Sequence, residues 1–151
     1  MFRGITTINL DAKGRMAMPA RYREQLSDSC SGHLVVTIDT NHHCLLLYPA
    51  PEWEQIEQQI ETLPSYDPAA MRVKRLLLGH ANDLEMDGNG RVLLPQELRQ
   101  YAKLEKQVNL IGQGKKLELW DQAVWHEQRE RWLSDSTTDG ELPDKLRSLA
   151  L

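Results

Sequence analysis

The chain has 151 residues, 40% apolar and 26% charged, with a formal net charge of −4. That balance fits one compact body or two small lobes sharing a core, and it excludes a disordered chain or a generally basic one. No apolar run nears the ~20 residues of a membrane-spanning helix. Polar residues from Arg3 onward give no signal-peptide pattern, so a cytoplasmic protein is expected.

In chain order, residues 6–10 alternate as a strand and stop at Asp11-Ala12-Lys13-Gly14. An aspartate that accepts backbone N–H bonds and a glycine at positive φ are turn chemistry. Residues 15–18 resume with period two, which puts Met16 and Met18 on one face and Arg15 and Ala17 on the other. Pro19 ends that strand and opens a short helix over 20–26. Residues 34–38 and 44–48 predict a strand pair around a polar loop. A helix over 51–63 gathers Trp53, Ile56, Ile60 and Leu63 on one face. Asp67-Pro68 starts another, running to about Gly79, with Met71, Val73, Leu76, Leu77 and Leu78 as burial candidates. Strands then follow at 108–111 and 117–120, and Asp121 caps a helix to about Leu133 that carries Trp125 and Trp132 as core and seam residues. Leu142, Leu146 and Leu149 lie at helical spacing and could dock against a neighbour.

The same sentence occurs twice. Residues 9–24 and 85–100 align at an offset of 76, with Asp11/Asp87, Gly14/Gly90, Arg15/Arg91, Pro19/Pro95 and Arg23/Arg99 identical. Downstream, residues 45–48 with Trp53 match 117–120 with Trp125 at an offset of 72, so the second copy has lost four residues, most economically from a loop. Each copy is too small to stand alone, and function is sought in what both carry: Asp-x-x-Gly-Arg followed by Pro. The organisation expected is a β unit over 5–52, a helical connector over 53–80, a second β unit over 81–124 and a C-terminal helix and tail over 125–151.

Other chemistry is weaker. Residues 85–90 start like a calcium loop, but position twelve is Gln96 rather than a bidentate glutamate, and the first copy puts Lys13 at a ligand position. His42-His43-Cys44 reads as a hairpin tip, since adjacent strand residues face opposite ways and no second cluster completes a metal site. Cys30 and Cys44 form no redox or disulfide framework and are expected as reduced structural thiols. Neither a nucleophile elbow, a zincin motif nor a phosphate-cradling loop is present, so no enzyme, cofactor, metal or small-molecule substrate is expected. Arg15 and Arg91 each start a strand just after a glycine turn. One reading is an ion pair within each turn, Asp11 with Arg15 and Asp87 with Arg91. The other is a guanidinium fork, raised on a rigid β platform, that fits a phosphate or the O6/N7 edge of guanine.

Charge is unevenly placed. Residues 1–25 hold five basic residues against two acids, and residues 121–151 hold seven acids against four bases. A local basic face can attract phosphate despite an acidic total. The copies differ too, with a net charge of +2 over 9–24 and −1 over 85–100. On that ground Arg15, supported by Lys13 and Arg3, is the principal candidate for a DNA contact, and Arg91 a lesser one.

These residues resemble the MraZ family of transcriptional regulators, which carry two tandem SpoVT–AbrB-type domains. The resemblance covers essentially the whole chain. It rests on the opening Met-Phe-Arg-Gly, both Asp-x-x-x-Arg signatures, the Pro-x-x-x-Arg after each, Leu-Leu-Leu-Tyr-Pro with Glu52-Trp53, and Arg75-Leu-Leu-Leu-Gly-His80-Ala. It implies an α+β fold, mainly β with added helices, in which two swapped-hairpin units fuse as an intramolecular pseudo-dimer. It also implies ring-like homo-oligomers that bind double-stranded DNA at short promoter repeats upstream of a bacterial division and cell-wall gene cluster. The regulator's own gene would belong to that cluster, repression is the expected outcome, and the protein would be nucleoid-associated. The motif arginines would be the DNA contacts, with Asp11, Gly14, Asp87 and Gly90 shaping the turns. The alternative of another class is an oligomeric protein-binding scaffold whose Asp-x-x-x-Arg turns serve subunit contacts.

Overall fold

A computed structural model describes residues 1–135 and 144–149. Its strands are β1 (Ile5–Asn9), β2 (Arg15–Ala17), β3 (His33–Ile38), β4 (Leu45–Pro49), β5 (Asn82–Glu85), β6 (Arg91–Leu93), β7 (Gln107–Gly112) and β8 (Leu117–Asp121). Helices α1 (Ala20–Cys30), α2 (Ala50–Glu61), α3 (Pro68–Val73), α4 (Gln96–Tyr101) and α5 (Gln122–Ser134) are joined by a π-helical turn at Lys74–Leu78 and a short C-terminal helix at Asp144–Arg147. The class is α+β, as expected.

Six strands form one antiparallel sheet in the order β1-β7-β8-β4-β3-β5, and β2 pairs with β6 in a separate two-stranded ribbon. The hairpins β3–β4 and β7–β8 stay within a repeat. Every other pairing crosses between repeats: β1 with β7, β3 with β5, β4 with β8 and β2 with β6. The first strand of each copy therefore finds its ladder only on the other copy. Met16, Met18, Val92 and Leu94 turn inward from the ribbon and meet Leu26, Leu34, Leu47, Leu98, Leu110 and Leu119 in one core built from both repeats.

The repeat register shows where the second copy was shortened. His33 and Gln107 hold equivalent places, opposite Glu85 and Asn9, at an offset of 74. Two of the four residues are thus missing between Pro95 and β7, where α4 has 6 residues against 11 in α1. The other two are missing from the hairpin between β7 and β8, so the loss is split between two places rather than taken from a single loop.

Two helices differ from expectation. The segment after Asp67 does not continue as an α-helix to Gly79: it widens at Lys74, with the Gly79 N–H reaching back to the Lys74 carbonyl. Side chains occupy carbonyls in this turn, since Thr37 Oγ1 donates to Leu77 O at 2.8 Å and His80 Nδ1 lies 2.7 Å from Leu76 O. Only Ala70 is buried there, and Met71, Val73, Leu76, Leu77 and Leu78 are half-covered. In α5 no residue is fully buried. Trp125 and Trp132 instead gather with Trp120 and His42 in a ring cluster beside the β8 end, with centroids 5.4–6.0 Å apart. Leu146 and Leu149 are exposed, and Leu142 lies outside the described residues.

Candidate nucleic-acid interface

Both glycine turns have the same geometry. Asp11 Oδ1 accepts from the backbone N–H groups of Lys13 and Arg15 at 2.9 and 2.8 Å, and its Oδ2 takes Arg15 Nε at 2.6 Å. Asp87 Oδ1 accepts from the N–H groups of Asn89 and Arg91 at 2.8 and 2.9 Å, and its Oδ2 takes Arg91 Nε at 3.3 Å. Gly14 and Gly90 close the turns at φ 85° and 74°, a conformation that a residue with a Cβ adopts only under strain. The backbone N–H of Arg15 does most to hold the Asp11 carboxyl down, to about 2, with its guanidinium and the Lys13 N–H adding to it. Asp87 is lowered in the same way, chiefly by the Arg91 N–H. The ion pair anticipated within each turn is present, and in both it engages the arginine through Nε.

The ribbon brings the two arginines together. Arg15 pairs with Leu93, Met16 with Val92 and Ala17 with Arg91. Met16 and Val92 are buried, so alternation places Arg15, Ala17, Arg91 and Leu93 on the outward face. Arg15 and Arg91 are diagonal neighbours, about 7–8 Å apart by strand geometry, with side chains 32% and 34% exposed. Lys13 is exposed at the apex of its turn. Arg3 is not part of this group. It lies at the other end of β1, where its backbone packs on Gly112 and its carbonyl accepts from Tyr22 Oη.

The second motif arginine of each copy was legible as a repeat but not as a role. A Cβ on Gly14 would fall 2.4 Å from Arg99 Cζ, and one on Gly90 would fall 2.2 Å from Arg23 Nε. Each Pro-x-x-x-Arg arginine thus lies flat against the glycine turn of the other copy. Arg23 Nη2 donates to Met18 O at 2.9 Å and Arg99 Nε to Leu94 O at 3.0 Å. Met18 N and Leu94 N in turn donate to Gly90 O and Gly14 O. The ribbon is locked at both ends by contacts that cross between copies, which explains why Pro-x-x-x-Arg recurs with the turn. Its distance in sequence from the turn it braces hid this.

A two-stranded ribbon with outward, oriented arginines has the shape that enters a DNA major groove. The chain is a tandem-repeat α+β protein that carries such a ribbon between its two copies. The family model described as "MraZ protein, putative antitoxin-like" matches residues 1–76 and again 77–147. Relatives named Transcriptional regulator MraZ from Halorhodospira halophila and Coxiella burnetii are each 55% identical over 152 aligned residues, and one from Legionella pneumophila is 54% identical over 153, with both chains covered completely in each case. The chain belongs to the MraZ family. No helix among the described residues is long and apolar enough to cross a membrane.

Proposed function

We propose that this protein is a sequence-specific DNA-binding transcriptional regulator that reads promoter repeats through the β2–β6 ribbon as a homo-oligomer. One observation carries the reading: Arg15 and Arg91 share a single outward ribbon face, each with Nε pinned by its turn aspartate. Pinning leaves the Nη1/Nη2 edge to meet guanine O6/N7 or a phosphate, with little orientational freedom left to lose on binding. Lys13 adds a phosphate contact beside Arg15, and Arg3 serves backbone remote from the ribbon. Each subunit offers few such contacts, so useful affinity comes from several subunits engaging repeated sites at high effective concentration. The target is the promoter of a division and cell-wall gene cluster that includes the regulator's own gene, and the outcome is repression. The protein acts in the cytoplasm at the nucleoid and has no catalytic role.

The test is binding of the duplex upstream of the protein's own gene at two salt concentrations. Affinity should fall steeply with salt as counterions are released. An oligomeric scaffold, in which the turns serve subunit contacts, would show no salt-steep duplex affinity, and that result would overturn the proposal.

A further inference from the structure

Leu93 is 55% exposed on the outward ribbon face, directly opposite Arg15 and two residues from Arg91. It belongs to none of the apolar clusters formed by the described residues. Its equivalent in the first repeat is Ala17, so the face is two-fold in its arginines and one-sided in its apolar bulk. We infer that Leu93 is a specificity-determining base contact that packs on the 5-methyl group of a thymine beside the bases met by Arg15 and Arg91. This rests on the proposal that the ribbon reads DNA.

The chemistry follows from the neighbours. Arg15, Lys13 and Arg91 outnumber Asp11 and Asp87 around this leucine, which favours a polyanion over an apolar protein surface as occupant. In a major groove the guanidinium forks find polar edges, and the one apolar feature the base edges present is the thymine methyl. A leucine between two forks, held by the same rigid ribbon, reaches that methyl without moving the backbone. Because Ala17 offers far less apolar reach at the two-fold-related place, Leu93 also makes the two possible directions of the ribbon along the duplex unequal.

The experiment starts from duplexes that the parent protein selects out of random sequence. Their thymines are replaced one at a time by uracil, which removes only the methyl group. The parent should lose about fourfold in affinity at the contacted thymine, the value of one buried methyl. Leu93→Ala should bind the thymine duplex more weakly and be indifferent to that uracil. Ala17→Leu should acquire sensitivity at the two-fold-related position. Both variants should keep the parent's melting temperature and mass, because neither side chain is in the core. Equal uracil sensitivity in the parent and Leu93→Ala would overturn the inference, as would selected duplexes indifferent to uracil throughout. Loss of oligomeric mass in Leu93→Ala would overturn it in favour of a subunit contact. If no duplex is enriched at all, the DNA reading itself falls, a result distinct from an enriched duplex that ignores the methyl.

Discussion

Protonating Asp11 removes the acceptor around which its turn is built, and the group is set against that. Its carboxyl sits at about 2 when folded, below the ~3.9 of a free aspartate. A depressed carboxylate contributes stability that is fully present above the unfolded value and is lost as pH falls through the folded one. The window for Asp11 therefore runs from about pH 4 down to about pH 2. Asp11→Ala should have a melting temperature that falls less steeply across that window than the parent's, as followed by circular dichroism. Arg15→Ala tests the other half of the pair. It should lose about 1–3 kcal/mol of duplex binding per engaged site while keeping its melting temperature and oligomeric mass, since an exposed turn ion pair stabilises a fold by little. The local charge of the second copy leads us to expect a smaller loss for Arg91→Ala at equal salt. If Arg15→Ala binds like the parent, or fails only because the assembly falls apart, the turn arginine is structural. Gly14→Ala should instead cost stability, about 1–2 kcal/mol for holding a Cβ at positive φ, and should displace Arg99 from its seat. A thermal melt reads this directly.

The ribbon is the element through which the copies depend on each other. Neither β1 nor β2 has a partner strand in its own repeat, so residues 1–66 expressed alone should be unfolded or self-associated, by circular dichroism and light scattering. Adding residues 67–151 should restore a cooperative melt. A monomeric 1–66 fragment that melts cooperatively would contradict the shared core. This dependence marks the limit of what could be read from sequence. The turns were legible because Asp, Gly and alternating Met16 and Met18 carry local rules, and the helix starts because Pro19, Asp67-Pro68 and Asp121 do. The candidate arginines were legible because the sequence states them twice. Of the strand neighbours, the hairpin of 34–38 with 44–48 was legible from local pattern, but the cross-copy pairings were not, since the partners of Ile5 and Met16 are Ile111 and Val92, set by a core that forms only when both copies are present. The brace by Arg23 and Arg99 was hidden for the same reason. The widening at Lys74 left no local mark in the sequence, and one contact that holds the turn, from Thr37 to the Leu77 carbonyl, spans 40 residues. The helical spacing of the α5 tryptophans points to core and seam places, and the structure puts Trp125 half-buried against Cys44, Ile111 and Trp120 while Trp132 is exposed.

At the scale of the whole molecule, one subunit leaves surface uncovered. Edge strand β1 presents Ile5, and Leu133, Leu146, Leu149 and Trp132 are exposed. Unpaired sheet edges and apolar patches of this kind are commonly covered by further copies. We expect a mass by light scattering several times 17.4 kDa at micromolar concentration. A strict monomer would remove the multivalent basis of promoter binding. The exchange of strands between copies also has a consequence for how the protein is made. Strand β1 leaves the ribosome about 100 residues before the end of its ladder partner β7, which closes at Gly112. At about 5–20 residues per second, β1 waits roughly 5–20 s as a bare edge before its neighbour exists. Nascent chains on one messenger are at that moment identical, unfinished and close together. Newborn chains are therefore at risk of pairing with each other's first strands, and slowing translation across the second copy should raise the yield of strand-exchanged subunits.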